Sequence, residues 1–477
     1  MSIIDRITTL NGDQVTLEDA AVESLKDQVY GQVLSPGDPG YDDARKVWNS
    51  MIDKYPALIA RCSGTADVVH AVNFAREHNL LVAVRGGGHN VAGNAVCDEG
   101  LLIDLSGMKG IHVEPANQTV RAQAGVTWGE FDRETQLHGL MTPGGVVTTT
   151  GIAGLTLAGG MASSRRKLGL TCDNLISAEV VTANGDVLRA SEKNHADLFW
   201  AIRGGGGNFG IVTSFEFKLH RLGPDYYLAA PIYSLDDAPD ILPRWRSYIE
   251  QAPDEVTSDA IFWGMQPLPG VSPDMIGTPI LILAGFYVGP ADRGEQVLKP
   301  LREFGTPLLD LSHVGTYLEV QSAFDPFFPD TQRYYWKSLN IDSMSDDVLD
   351  SIIALAHDRP SANTLFALRT LGGAISRVPE DATAYGNRQA GYNLSIDTTW
   401  DDPADDERMV SWTRQAWSQM RDMTSGGVYL NFAGLGEENE TLARAGYGEN
   451  YPRLQQVKRR YDPGNLFRGN INIPPEA

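Results

Sequence analysis

Cysteine is scarce in this chain: Cys62, Cys97 and Cys172 are the only three in 477 residues. Three thiols with no CxxC spacing build neither a disulfide framework nor a zinc site. The nine histidines are scattered, with no HExxH and no i, i+4 pair, so no metal is expected. Positive charge is short as well. The 39 basic and 61 acidic residues leave a net charge of −22. That balance argues against nucleic acid or an anionic membrane as partner, because both surfaces are themselves negative. No apolar run approaches the roughly 18 residues of a membrane span. Met1 to Gly12 lacks a charged start followed by an apolar run. These absences lead to the expectation of a soluble, cytoplasmic protein.

What the chain has is an ordinary globular composition, 42% hydrophobic and 21% charged, with length for two or three domains. It is organised around Leu80 to Gly93. The apolar run Leu80 to Val84 reads as a buried strand that ends in Arg85, Gly86, Gly87, Gly88 and His89, then Asn90. Three glycines let backbone approach a ligand with no Cβ in the way, and consecutive N–H groups can form a nest for phosphate oxygens. Arg85 adds a positive fork, and His89 stands at the loop exit. By itself such a stretch fits a tight glycine turn with a surface histidine equally well.

Before this loop, helices are expected over Leu17–Val29, Asp43–Met51 and from Ser63 or Thr65 to His78. After it come strands at Leu101–Leu105, Ile111–Val113 and Thr119–Ala122, then a helix over Trp128–His138. Residues 143–160 hold six glycines and four threonines in 18 residues, a poor helix or strand, suited to close approach to a flat ligand. Asn184-Gly185 predicts a type I′ hairpin turn. Gly205, Gly207 and Gly210 formally fit GxGxxG. The pattern that follows, Ile211 to Phe217, is a strand and not a helix, so a Rossmann site is rejected. Beyond Leu222, strands at Tyr226–Ala229, Ala260–Gly264, Thr278–Tyr287 and Tyr334–Asn340 alternate with helices at Arg293–Phe304 and Asp405–Met423. That texture predicts an α+β unit with an antiparallel sheet covered by helices. The tail reads as a helix over Pro452–Tyr461, stopped by Asp462-Pro463-Gly464, and an Asn-rich end.

Five motifs occur in order: the Arg85–His89 loop, the threonine-glycine segment, Gly169–Asn174, the run Gly204–Val212, and the ending from Asn450-Tyr451 to Pro474. Together they resemble the berberine-bridge-enzyme-like FAD-linked oxidases of the vanillyl-alcohol-oxidase group, closest to bacterial members of the hydroxynicotine-oxidase kind. The resemblance implies an α+β fold with a bipartite, PCMH-type FAD-binding domain in two lobes over residues 1–222. It further implies a substrate domain over 223–444 and a segment, 445–477, that returns to complete the FAD site. His89 would bond through a ring nitrogen to the 8α-methyl of the flavin. Other expected FAD contacts are Arg85, Gly86, Gly87, Gly88, Asn90, Gly93, Gly145, Thr148, Thr149, Gly151, Gly154, Gly159, Asn174 and Val212. Asn470 and Asn472, two amides at period 2, suit the polar edge of the ring. Asp104 and Ser106 fit either a phosphate-holding role or simple turn capping. Many plant members carry a second, cysteinyl tether; here that place falls on Val147, so a single covalent link is expected.

The implied chemistry is removal of a hydride from a small alcohol, sugar or amine while a base takes the proton, with electrons passing to O2 and release of H2O2. Thr150 sits beside the oxygen path of relatives. A dehydrogenase with another acceptor, or a flavin-binding protein without turnover, would share the same fold. Relatives draw the base from two strands facing the flavin. The first corresponds to Tyr392–Ile396, where Asn393 and Ser395 should point together; several relatives carry a glutamate, glutamine or lysine in this register, and here it holds neither a strong acid nor a strong base. The second corresponds to Gly427–Phe432, where Tyr429 is the polar catalytic candidate and Asn431 its positioning partner. Tyr335 and Lys337 alternate on one strand face and either line the substrate pocket or belong to an amphipathic strand with its lysine in solvent. A monomer or a homodimer fits this sequence.

Overall fold

The computed structural model describes residues 4–424 and 427–476. The Gly-rich loop grows from a four-stranded sheet ordered Gln32–Leu34, Leu58–Arg61, Leu101–Asp104, Val82–Arg85. Its last three strands are parallel, and Val82–Arg85 is the edge that ends in the loop. The helix Thr65–Glu77 connects two of these strands and buries Val68, Ala71, Val72 and Ala75 against them. A second, antiparallel sheet of five strands runs Val187–Ser191, Leu175–Val181, Ile211–Lys218, Thr119–Gln123, Ile111–Glu114. The four-glycine run does lead into a strand, Ile211–Lys218.

Residues 225–400 supply a nine-stranded antiparallel sheet. The central order is Pro279–Tyr287, Val256–Gly264, Leu365–Thr370, Tyr392–Trp400, Arg333–Ile341. Alternation assigns its two faces. Phe262, Leu339, Phe366, Leu368, Leu394 and Ile396 pack under the helices Ala238–Gln251, Asp346–His357 and Asp406–Arg421. The opposite face, carrying Asp259, Ala367, Arg369 and Asp397, turns toward the glycine loops. The tail returns to the first unit through the helix Tyr451–Tyr461. There the buried Lys458 ammonium donates to Asp462 (2.7 Å) and to the carbonyls of Asn208 (2.8 Å) and Phe467 (2.9 Å).

Four local expectations are corrected. The stretch Asp43–Met51 is helical only over Tyr41–Arg45. Its second half is held by tertiary bonds instead, with Asn49 Nδ2 donating to the carbonyls of Val91 and Tyr334. Within the glycine-threonine segment, Ile152–Leu157 forms a helix, since buried Ile152, Thr156 and Leu157 outweigh the low propensity. The Asn184-Gly185 turn has positive φ at Gly185 alone (84°) and a bond from its amide to the Thr182 carbonyl. That is a type I turn with a left-handed glycine, one residue longer than type I′. Finally, Gly427–Phe432 is no strand: Leu430–Phe432 is a 3-10 turn.

Candidate active site

The glycine loops and the open sheet face line a cleft that opens to solvent and holds about 1700 Å3 of empty space. One wall is built from Gly86–Asn90, from Thr150, Gly151 and Gly154, from Gly206–Asn208 and Val212, and from the tail residues Asn470 and Ile471. The other carries Trp336, Arg369, Asp397, Tyr429, Asn431 and Phe432.

The first wall fits an extended, phosphate-bearing cofactor. The amides of Gly87, Gly88 and His89 make no hydrogen bond among the described residues, so three consecutive donors remain for a ligand. Gly87 and Gly151 meet backbone to backbone: a Cβ on Gly87 would lie 2.4 Å from the Gly151 nitrogen. A Cβ on Gly154 would meet nothing within 4 Å and would enter open space at the cavity. His89 stacks on Trp48, with ring centroids 4.1 Å apart, and Trp48 stacks in turn on Tyr334 (3.9 Å). Its Nε2 is buried and has no hydrogen-bond partner among the described residues. Burial lowers its pKa to about 4, so the ring is neutral with a lone pair available at neutral pH. Of the cysteines, none lines the cavity; all three are buried and free.

Several expected cofactor residues lie outside this lining and brace it. Arg85 is locked to Asp104 by two bonds, Nε to Oδ1 (2.9 Å) and NH2 to Oδ2 (2.6 Å), and its third nitrogen donates to the Lys46 carbonyl. Ser106 caps the same carboxylate through its amide and hydroxyl, both at 3.0 Å. These contacts hold the Asp104 carboxyl below the usual range against its burial. Gly93 is set back, its carbonyl accepting from Lys54. Gly145 packs on Trp128. Thr148 is tied through amide and hydroxyl to Asp325, and Thr149 is exposed and does not line the cavity. Gly159 abuts Tyr385. Asn174 donates to the carbonyls of Leu168 and Leu170 (both 2.9 Å) and bonds His220. Asn472 bonds Asn439 through its backbone, while Asn470 reaches the cavity.

On the second wall, Tyr429 and Asn431 do meet. The tyrosine hydroxyl accepts from Asn431 Nδ2 (2.8 Å) and from the Gly160 amide (3.2 Å). Burial raises its pKa, so this hydroxyl keeps its proton and serves as a donor. Tyr335 and Lys337 are on the helix-covered face, because register places Lys337 opposite Ile396. Lys337 is neither in the cavity nor in solvent: it pairs with Glu437 (2.5 Å) over the Trp417 ring (3.9 Å). Trp336 between them lines the cavity instead.

Asn393 and Ser395 share the cavity-side face, but neither lines the cavity. Asn393 bonds Asn340 (2.9 Å), and Ser395 donates to Asp397 Oδ2 (3.0 Å). The residue that reaches in is Asp397, two positions on. Its Oδ1 is buried and has no hydrogen-bond partner among the described residues. Arg369 on the neighbouring strand donates to Ser395 Oγ (2.7 Å) and stands 4.0 Å from Asp397 Oδ2. Burial raises the Asp397 pKa to about 6, with Arg369 opposing the rise. Sequence reasoning missed both residues, although carrying the period-2 register of 393 and 395 one step further lands on Asp397.

Comparison with known proteins accords with this geometry. Residues 56–191 match the FAD binding domain family, and residues 428–474 the berberine and berberine-like family. The chain is 32% identical over 457 residues to an FAD-linked oxidoreductase of Bacillus subtilis (strain 168), covering 94% of this chain and 98% of the relative. It is 31% identical over 468 residues to (R)-6-hydroxynicotine oxidase of Paenarthrobacter nicotinovorans, covering 94% and 98%. The chain therefore belongs to the berberine-bridge-like FAD-linked oxidoreductases and is an enzyme. Among solved structures, 6-hydroxy-D-nicotine oxidase from Arthrobacter nicotinovorans superposes with a TM-score of 0.82 at 28% identity, covering 94% of this chain and 98% of that one. A chitooligosaccharide oxidase, at 23% identity and a TM-score of 0.83, shares the fold. Among the described residues no helix is long and apolar enough to cross a membrane.

Proposed function

We propose that this protein is an FAD-dependent oxidase that takes a hydride from a small alcohol, sugar or amine and passes the electrons to O2, with His89 as the single covalent attachment point. The observation that carries this reading is the pairing, across one cavity, of a buried unpartnered histidine nitrogen with a buried carboxylate whose Oδ1 is free. Gly86–Asn90, Gly151, Gly154 and Asn470 would hold the cofactor, which supplies a two-electron acceptor when bound. Division into 1–222, 223–444 and the returning 445–477 belongs to the same proposal.

The chain's own part is proton transfer and orientation. Asp397 Oδ1 accepts the proton from the substrate's hydroxyl or amine. Its other oxygen is already held by Ser395, which fixes the carboxylate plane. Arg369 holds Ser395 and keeps the Asp397 pKa from climbing further. Tyr429, with both lone pairs engaged, turns its proton toward the cavity and can donate to the substrate heteroatom.

The test begins with acid precipitation of the purified protein: flavin colour should stay in the pellet, and a tryptic flavopeptide should map to His89. Asp397→Asn should then lower flavin reduction by the true substrate by about 10^2–10^4-fold, the range of general-base catalysis. Peroxide yield in air separates oxidase from dehydrogenase. Flavin washing into the supernatant, or full activity in Asp397→Asn, would defeat the corresponding part of the proposal.

A further inference from the structure

Behind Asp397 lies a second chamber, and it bears on the substrate. Its empty space, about 710 Å3, is less than half of the 1700 Å3 of the first cavity. Val146, Phe328, Arg369 and Asp397 line both, so the two chambers meet at the Asp397 side chain. The floor is the open sheet face: Ile261, Ala284 and Ala367 from three adjacent strands. Phe286, Phe324 and Val320 close the sides.

Three features of this chamber restrict what it can hold. The walls away from the shared mouth are dominated by aliphatic and aromatic side chains, with small alanines where the floor needs room. An oligosaccharide would bury hydroxyls there without partners, at about 1–3 kcal/mol each. The charges are already matched within the protein: Arg165 is spent on Asp259 and on the carbonyls of Thr370 (2.7 Å) and Ala162 (2.9 Å). Arg369 opposes Asp397 across 4.0 Å. A second cation beside Arg369 would be repelled, so an ammonium group gains little from Asp397.

We infer that the second chamber is the substrate-body site, and that it selects a neutral alcohol borne on a single aromatic or alicyclic ring. The ring lies against Ala367 and its cross-strand partner Ile261, and the carbinol reaches the Asp397 carboxylate at the mouth. Ala367 and Ile261 are then the specificity-determining positions. This inference rests on the proposed oxidase function and deepens it.

The experiment uses the flavin-loaded enzyme and a panel of benzyl alcohol, cyclohexylmethanol, benzylamine and xylobiose, titrated anaerobically. Binding is read from the perturbation of the flavin absorbance, and turnover from its bleaching. The ring alcohols should bind at millimolar concentration or below and more tightly than the other two. Ala367→Phe, or Ile261→Trp should the first variant lose its flavin, should weaken that binding at least tenfold. Xylobiose or benzylamine binding as tightly as the ring alcohols would overturn the inference, as would ring alcohols that bind equally well to the filled chamber or not at all. Ring alcohols that bind in a chamber-dependent way yet never bleach the flavin would leave the site assignment standing and refute the oxidase reading.

Discussion

Replacing Arg369 by glutamine removes one charge while leaving a donor for Ser395, and its effect on Asp397 can be worked out in advance. The guanidinium lies 4.0 Å from the carboxylate. At that distance the attraction is worth about 1 kcal/mol in water and about 4 kcal/mol at an effective dielectric constant of 20. Divided by about 1.4 kcal/mol per pKa unit, this gives a rise of roughly one to three units. Asp397 starts at about 6. Because the ionised form is the base, activity is present above this pKa and is lost as pH falls through it. The acid limb of kcat/KM should therefore move from about 6 to roughly 7–9. At pH 7 the variant loses about 10–100-fold at the upper part of that range and regains it in alkaline buffer. The assay is anaerobic flavin reduction across pH, with Asp397→Asn as the control that abolishes the limb. A limb that stays near 6 in Arg369→Gln, with only the plateau lowered, would refute the electrostatic coupling. A wild type without a limb near 6 would remove Asp397 from the role of base.

Arg85→Ala leaves Asp104 buried beside a partner it has lost, and should cost about 3–5 kcal/mol in denaturant unfolding. Loss of flavin at unchanged stability would instead return Arg85 to the phosphate-binding role its sequence position suggests. Gly154→Ala places a methyl group at the cavity within the helix Ile152–Leu157. The flavin-free protein should gain up to about 1 kcal/mol from helix propensity while retaining less flavin than wild type. His89 is about 4 folded and 6.5 in its unperturbed form, so the unfolded chain binds the extra proton between those values. Acidifying flavin-free protein from pH 7 to 5 should cost about 2 kcal/mol through this residue. Urea midpoints of His89→Asn should fall less over that interval; an equal fall would show that His89 is not buried in the neutral form.

Much was legible from order along the chain. The strand and glycine loop of Leu80–His89, the rejected Rossmann site at Gly205–Gly210 and the alternating unit beyond Leu222 depend on local pattern, which periodicity and turn chemistry report. The faces of Tyr392–Ile396 were legible too, since Asn393 and Ser395 do share one. Partners were not. Arg85 looks like a phosphate ligand in sequence and is an ion-pair brace because Asp104, 19 residues away, arrives on the adjacent parallel strand. Lys337 looks like a pocket or solvent residue and is buried against Glu437, 100 residues on.

The sequence by itself determined the family, the cofactor class, the glycine cradle and the histidine at its mouth, because these are written in contiguous residues whose backbone freedom needs no distant contact. Only the tertiary structure decided which carboxylate faces the cavity. Asp397 becomes a candidate base through burial, a free oxygen and an arginine one strand over, and each of those properties arises when the nine-stranded sheet closes over the glycine loops.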